Sequence, residues 1–193
     1  MPELTLGVEE SVRDMLAGLG LDPMCEGLKE TPRRVAKMLR DFTRGGNLLD
    51  ELGTTFESPY DGAVAQSPLI VQDRIPFRGL CEHHLLPFFG EAAVGYIPGK
   101  RVVGLSKLVR VVQAAGTQQP SIQERITDAI ADAIMKGLEA EGVIVVVRAE
   151  HTCMAVRGVN SPGVRTLTSA LRGVFMADYA ARAEFYALTG WSK

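Results

Sequence analysis

At 193 residues, with 46% hydrophobic and 23% charged positions, the chain has the composition of one globular domain with room for a helical arm. Its net charge of −2 excludes a protein that holds nucleic acid through bulk positive charge. The apolar run Val143 to Val147 is far shorter than the roughly 20 residues a membrane span needs. The opening Met1-Pro2-Glu3-Leu4 lacks a secretory pattern, and three cysteines are too few for a disulfide framework. A reducing cytoplasm is the expected setting, and there Cys beside His points to a metal or to catalysis.

In chain order, Val12, Met15, Leu16 and Leu19 recur at helical spacing and predict a helix over 7–19. A second helix is expected from Thr31 as N-cap and Pro32 at the first helical position. Its buried stripe would be Val35, Met38, Leu39 and Phe42, and Gly45-Gly46 would end it. Residues 47–66 read as a crossover loop. Strands are expected over about 69–77 and 88–97, then helices over about 106–115 and 121–139, interrupted at Gly116 and Pro120. The β-branched run Val143 to Val147 predicts a strand continuing to about Val156. A further strand follows over about 164–171 and a last helix over about 176–188. Two strands, two helices, two strands and a helix, after a helical arm, make an α+β fold with mostly antiparallel pairing. The arm and crossover occupy 1–66 and the body 67–193.

All three histidines sit in two short segments, Cys81-Glu82-His83-His84 and His151-Thr152-Cys153, which also hold two of the three cysteines. Cys81 and His84 are three apart, so one turn of chain aims both at a single point. On a strand, His151 and Cys153 would share a face. Thiolates and imidazoles are zinc ligands, and three of them with a vacant position make a catalytic site. Cys81, His84 and Cys153 are the expected ligands, with His83 and His151 free beside the metal. A closed structural site that also uses His151, or no metal at all, are the alternatives at this point. Cys25 stands apart and reads as a packing residue.

Gly104-Leu105-Ser106-Lys107-Leu108-Val109-Arg110 reads as a helix opening after a strand, with Ser106 as N-cap and Lys107 and Arg110 on one face. Such an N-terminus attracts anions, and Arg157 would lie about 13 Å along the strand face from Cys153. A nucleotide spans such a distance; plain surface charges are the alternative. Ser121-Ile-Gln-Glu124 spells a capping box, although Glu124, with Gln123 beside it, could instead accept the paired N–H donors of a guanine edge.

At Cys81-Glu-His-His-Leu-Leu-Pro-Phe88, Gly104 to Arg110, Gln123-Glu-Arg125 and His151-Thr-Cys-Met-Ala-Val-Arg-Gly158 the chain strongly resembles GTP cyclohydrolase I. Gly27-Leu-Lys-Glu-Thr-Pro-Arg-Arg-Val-Ala-Lys-Met38 is similar to that family's N-terminal helix. The resemblance implies a tunnelling fold assembled as a homodecamer with sites at subunit interfaces. It also implies conversion of GTP into 7,8-dihydroneopterin triphosphate and formate, the first step toward folate and other pterins. Position by position, Cys81, His84 and Cys153 would bind Zn2+, while His83 and His151 would handle protons, His151 at guanine N7. Ser106 would act near the sugar as a catalytic residue, Leu105 would bind the substrate, Gln123 and Glu124 would read guanine, and Lys107, Arg110, Arg157 and Arg34 would hold the triphosphate. The alternative is a relative that stops at the ring-opened formamide or serves a deazapurine pathway. Two departures stand out: Gly79, where the family usually has Ser, and the segment Ala114 to Ser121.

Overall fold

The computed structural model describes residues 3–60 and 68–191. The expected crossover therefore lies partly, at 61–67, outside the described residues. Contacts divide the chain into two compact units, 1–44 and 45–193. In the first, α1 (Glu3–Gly18) packs against α2 (Thr31–Asp41). Helix α2 is capped one residue earlier than expected, at Glu30, with Pro32 in its first turn. Pro32 and Ala36 are its buried residues, whereas Met38 is exposed. Cys25 is exposed rather than packed, in the turn region between these helices.

The second unit departs from expectation first at 47–57, where the crossover contains structure. Asn47 caps α3 (Leu48–Leu52) by accepting the Leu49 N–H, and Leu48 and Leu52 enter the main core. Strand β1 (Thr55–Glu57) pairs antiparallel with β4 (Arg101–Val103). Both elements are too short for periodicity to announce them.

The main sheet is antiparallel in the order β2 (Ile70–Leu80), β3 (Pro87–Ile97), β5 (Gly142–His151), β6 (Arg165–Gly173). Between β3 and β5 the chain forms α4 (Leu105–Gly116) and α5 (Gln123–Leu138), which cover one sheet face. This is the expected α+β arrangement, an antiparallel sheet with two helices on one face, with a helical segment before it in the chain. Alternation on β5 builds two cores: Val143, Val145, Val147 and Ala149 face α4 and α5, while Ile144 and Val146 face the other way. That second face is covered by Phe175 of α7 (Val174–Ala177) and by Ala181 and Phe185 of α8 (Tyr179–Thr189). The single C-terminal helix expected from sequence is thus two, divided at Asp178, whose carboxylate caps the second by accepting the Ala180 and Ala181 N–H groups.

Helix α4 ends where it must. A Cβ on Gly116 would sit 1.9 Å from the Arg78 carbonyl oxygen, so only glycine lets the helix end meet β2. No described helix is long and apolar enough to cross a membrane.

Candidate active site

The site forms where β2 ends, β3 begins and β5 ends. Gly79, Phe88 and His151 are direct partners across the three strands. After β2 the chain makes a tight loop: the Cys81 N–H donates to the Leu86 carbonyl and the Leu85 N–H to the Cys81 carbonyl. Leu85 adopts a left-handed φ of 51°. The loop is tied to the segment before α5, because the Ser121 N–H donates to the Leu80 carbonyl and the Glu82 N–H to the Ser121 carbonyl. Arg125 reinforces this tie, donating to Glu82 at 2.7 Å and to the Ser121 hydroxyl at 3.2 Å. The guanidinium holds the Glu82 carboxyl below the usual carboxylate range.

Two capping readings give way here. Helix α5 begins at Gln123 with Ile122 as its cap residue, and Ser121 is spent on the loop rather than on a capping box. Helix α4 is capped at Gly104, so Ser106 lies inside the helix and makes no cap bond. The expected strand to Val156 also ends early. At Thr152 the chain turns into α6 (Thr152–Ala155), and the Thr152 hydroxyl donates to the Pro87 carbonyl. Cys153 therefore reaches the site from a helical turn, and Arg157, expected about 13 Å from Cys153 along a strand, folds back to the cluster. Its Nη1 lies 2.7 Å from His84 Nε2.

The donor atoms of Cys81, His84 and Cys153 all lie within 4.8 Å of one another. Cys81 Sγ is 4.0 Å from His84 Nδ1. Around a tetrahedral zinc with bonds of about 2.3 Å to sulfur and 2.0 Å to nitrogen, the edges would be roughly 3.5–3.8 Å. The cluster matches within about 1 Å, a side-chain adjustment. Two thiols and one imidazole are a soft donor set suited to zinc. Burial pushes the Cys153 thiol up, the nearby Cys81 adds to the effect, and Arg157 partly offsets it.

His83 is exposed at the lip of the loop, 3.8 Å from Glu82. His151 is half-buried. Its ring stacks on Phe88 at 4.5 Å with an 8° interplanar angle, and Nε2 lies 2.8 Å from Gln123 Oε1. Burial pulls the His151 pKa down, and the Glu124 charge opposes that shift. Sequence reasoning missed Phe88 and Arg125 as parts of the site; strand register and the loop ties reveal them. Gly79 belongs here too, since a Cβ there would come within 2.4 Å of the Phe88 ring. The ring that supports His151 occupies the space a side chain at 79 would take.

The expected residues of α4 extend away from this cluster within one chain. Leu105, Ser106, Lys107 and Arg110 lie in the first half of α4, whereas its last residue, Gly116, meets β2 three residues before Cys81. Twelve helical residues span roughly 16 Å from Gly116 back to Leu105. Lys107 lies instead near Gly53, after α3. Arg34 is on α2, in the other compact unit.

A match to GTP cyclohydrolase I spans residues 8–190. The chain belongs to the GTP cyclohydrolase I family. It is 50% identical to GTP cyclohydrolase 1 of Halalkalibacterium halodurans over 184 residues, covering 94% of each chain. It is 51% identical to GTP cyclohydrolase 1 of Aquifex aeolicus over 181 residues, again covering 94% of each. To GTP cyclohydrolase 1 of Bacillus subtilis it is 49% identical over 178 residues, covering 92% of this chain and 91% of the other. As a member of the GTP cyclohydrolase I family, the chain is an enzyme, and the Cys81–His84–Cys153 cluster is where it could hold a metal.

Proposed function

We propose that the chain is a zinc-dependent hydrolase that opens the imidazole ring of guanine in GTP, releases formate and forms 7,8-dihydroneopterin triphosphate. One observation carries this reading: Cys81, His84 and Cys153 converge beside His151 in a chain of the GTP cyclohydrolase I family. The relatives bear the name of that activity. When bound with one position vacant, zinc supplies a Lewis acid that lowers the pKa of water to about 7.

The chain's own residues do the rest. Cys81, His84 and Cys153 hold the metal. His151 delivers a proton to guanine N7, and the burial that favours its neutral ring keeps it ready to give that proton up. His83, on the exposed lip, serves the later transfers as the ring opens and formate leaves. Glu124 offers two oxygens to the paired N–H donors of the guanine edge, with Gln123 as its neighbour in the site. Arg157, beside His84, holds part of the triphosphate.

Ser106 near the sugar, Leu105 against the substrate, and Lys107 and Arg110 on the phosphates come from a neighbouring copy. Their distance along α4 from the chain's own cluster supports this. Arg34 reaches in likewise. The working unit is then a homodecamer with sites at subunit interfaces, in the cytoplasm. Catalysis belongs to 67–193, with 1–66 as arm and crossover.

The test is incubation of metal-replete protein with GTP, following formate release and a fluorescent pteridine after oxidation. Both products are expected in equal amounts. A ring-opened formamide without formate, or binding without product, would overturn the reading.

A further inference from the structure

Gln123 stands beside Glu124 in sequence, which suggests a second reader of the base. Its surroundings argue otherwise. The residue is 1% exposed, and its amide is committed on every side. Nε2 lies 3.0 Å from the Val147 carbonyl oxygen, 3.1 Å from the Thr166 carbonyl oxygen and 3.0 Å from the Thr168 hydroxyl. Oε1 lies 2.8 Å from His151 Nε2.

The chemistry of these partners fixes the direction of each bond. Backbone carbonyls only accept, so the end of the amide facing Val147 and Thr166 must be the NH2 group. The oxygen therefore faces His151. An amide oxygen only accepts, so the His151 atom opposite it must be Nε2–H. In the neutral ring the proton then resides on Nε2, and Nδ1 carries the lone pair. Orientation is fixed as well, because the Phe88 ring stacks on one face of the imidazole.

The anchor is itself held in place. Val147 and Thr168 are direct partners across β5 and β6, so the sheet ladder sets two of the groups that grip the amide. The Thr168 hydroxyl also lies 2.6 Å from the Thr127 hydroxyl, and the latter donates to the Gln123 carbonyl one turn back on α5. The side chain of Gln123 is therefore clamped between helix and sheet with its oxygen presented to one ring atom.

We infer that Gln123 is a positioning residue: it locks His151 in the Nε2–H tautomer, making Nδ1 the atom that exchanges protons with the substrate. This rests on the proposed role of His151 as the proton donor in GTP ring opening. It assigns the Gln123 side chain a task other than reading the base.

Two measurements test it on the intact metal-loaded protein. The first needs no variant. With only three histidines in the chain, 15N-histidine labelling and magic-angle-spinning NMR at pH 8 resolve each ring, and the resonances absent in His151→Ala identify the one in question. Nε2 protonated and Nδ1 bare is the expected result; a proton on Nδ1 overturns the inference. This holds whether or not GTP is turned over, so failure of the functional reading and failure of the inference are separable.

The second measurement compares Gln123→Met with Gln123→Glu, each checked for metal content and by circular dichroism. Both variants lose the amide donors, but only Glu keeps an oxygen for the His151 N–H. Gln123→Met is expected to lower kcat about 100-fold while KM stays within about threefold. Gln123→Glu should recover roughly tenfold of that loss. Equal loss in the two variants, or a rise in KM at unchanged kcat, overturns the inference and returns Gln123 to base recognition. Should either variant fail to fold, the NMR result on the unaltered protein decides.

Discussion

Removal of the metal is the perturbation whose size follows most directly from the site. Closing the cluster onto an ion needs a contraction of about 1 Å from the 4.8 Å spread of its donor atoms. Binding therefore involves side chains of an assembled loop rather than refolding. A ligand bound only by the folded state stabilises it by about 2.7 kcal/mol at one hundred times its dissociation constant. For a chain of this length each kcal/mol moves the melting temperature by about 2–4 °C, so zinc should raise it by about 5–11 °C. Differential scanning fluorimetry with and without zinc, paired with elemental analysis, measures the shift within each variant, so any cost of the mutation itself cancels. Cys153→Ala should abolish the shift. His83→Ala and His151→Ala should keep it, since neither residue belongs to the converging set. The Cys153 thiol is pushed up, so binding must release its proton, and the shift should grow as pH rises from 6.5 to 8.5. If His151→Ala loses the shift as fully as Cys153→Ala does, His151 is a fourth ligand and the reasoning for a vacant position fails.

Mixing inactive Cys153→Ala and Lys107→Ala proteins, then dissociating and reassociating them, should restore GTP turnover to about a quarter of wild type, because each site would draw on two copies. No recovery would place both residues in one chain's site. Gly116→Ala, which drives a Cβ to 1.9 Å from the Arg78 carbonyl oxygen, should cost about 1–3 kcal/mol by calorimetry, whereas Gly7→Ala, with nothing within 4 Å, should be neutral or stabilising. Asp178→Ala removes the acceptor for two N–H groups at the start of α8 and should lower the melting temperature by about 2–4 °C, the effect of about 1 kcal/mol.

The elements that periodicity can carry were legible in the sequence. β5 announces itself through a β-branched run buried on both faces, and α5 through sixteen residues with one apolar side. What escaped is what a neighbour decides. A cap belongs to whichever partner lies nearest: Ser121 resembles a capping residue in isolation, but its backbone is drawn into the ladder beside Leu80 and Glu82. β5 does not run on past His151, because the Thr152 hydroxyl finds the Pro87 carbonyl and the chain coils there. The coil is what swings Cys153 and Arg157 toward His84. Spacing alone could pair Cys81 with His84 within one loop, but it could not predict how the distant segment would arrive.

The same distinction explains why Gln123 looked like a substrate residue. In sequence its neighbour is Glu124, and adjacent polar residues at a helix start invite a shared role. On a helix, however, consecutive side chains point about 100° apart, so one can face solvent while the other is buried. Here Glu124 is exposed and Gln123 is 1% exposed. Burial of an uncharged amide costs little only if all its hydrogen-bonding groups are met, and the partners that meet them here include two carbonyls and an imidazole. Carbonyls are fixed acceptors, and the imidazole is the partner that can adapt, by choosing which nitrogen carries its proton. The satisfaction of a buried amide thereby dictates the protonation pattern of a half-exposed histidine, which links the packing of α5 on the sheet to the chemistry at its edge.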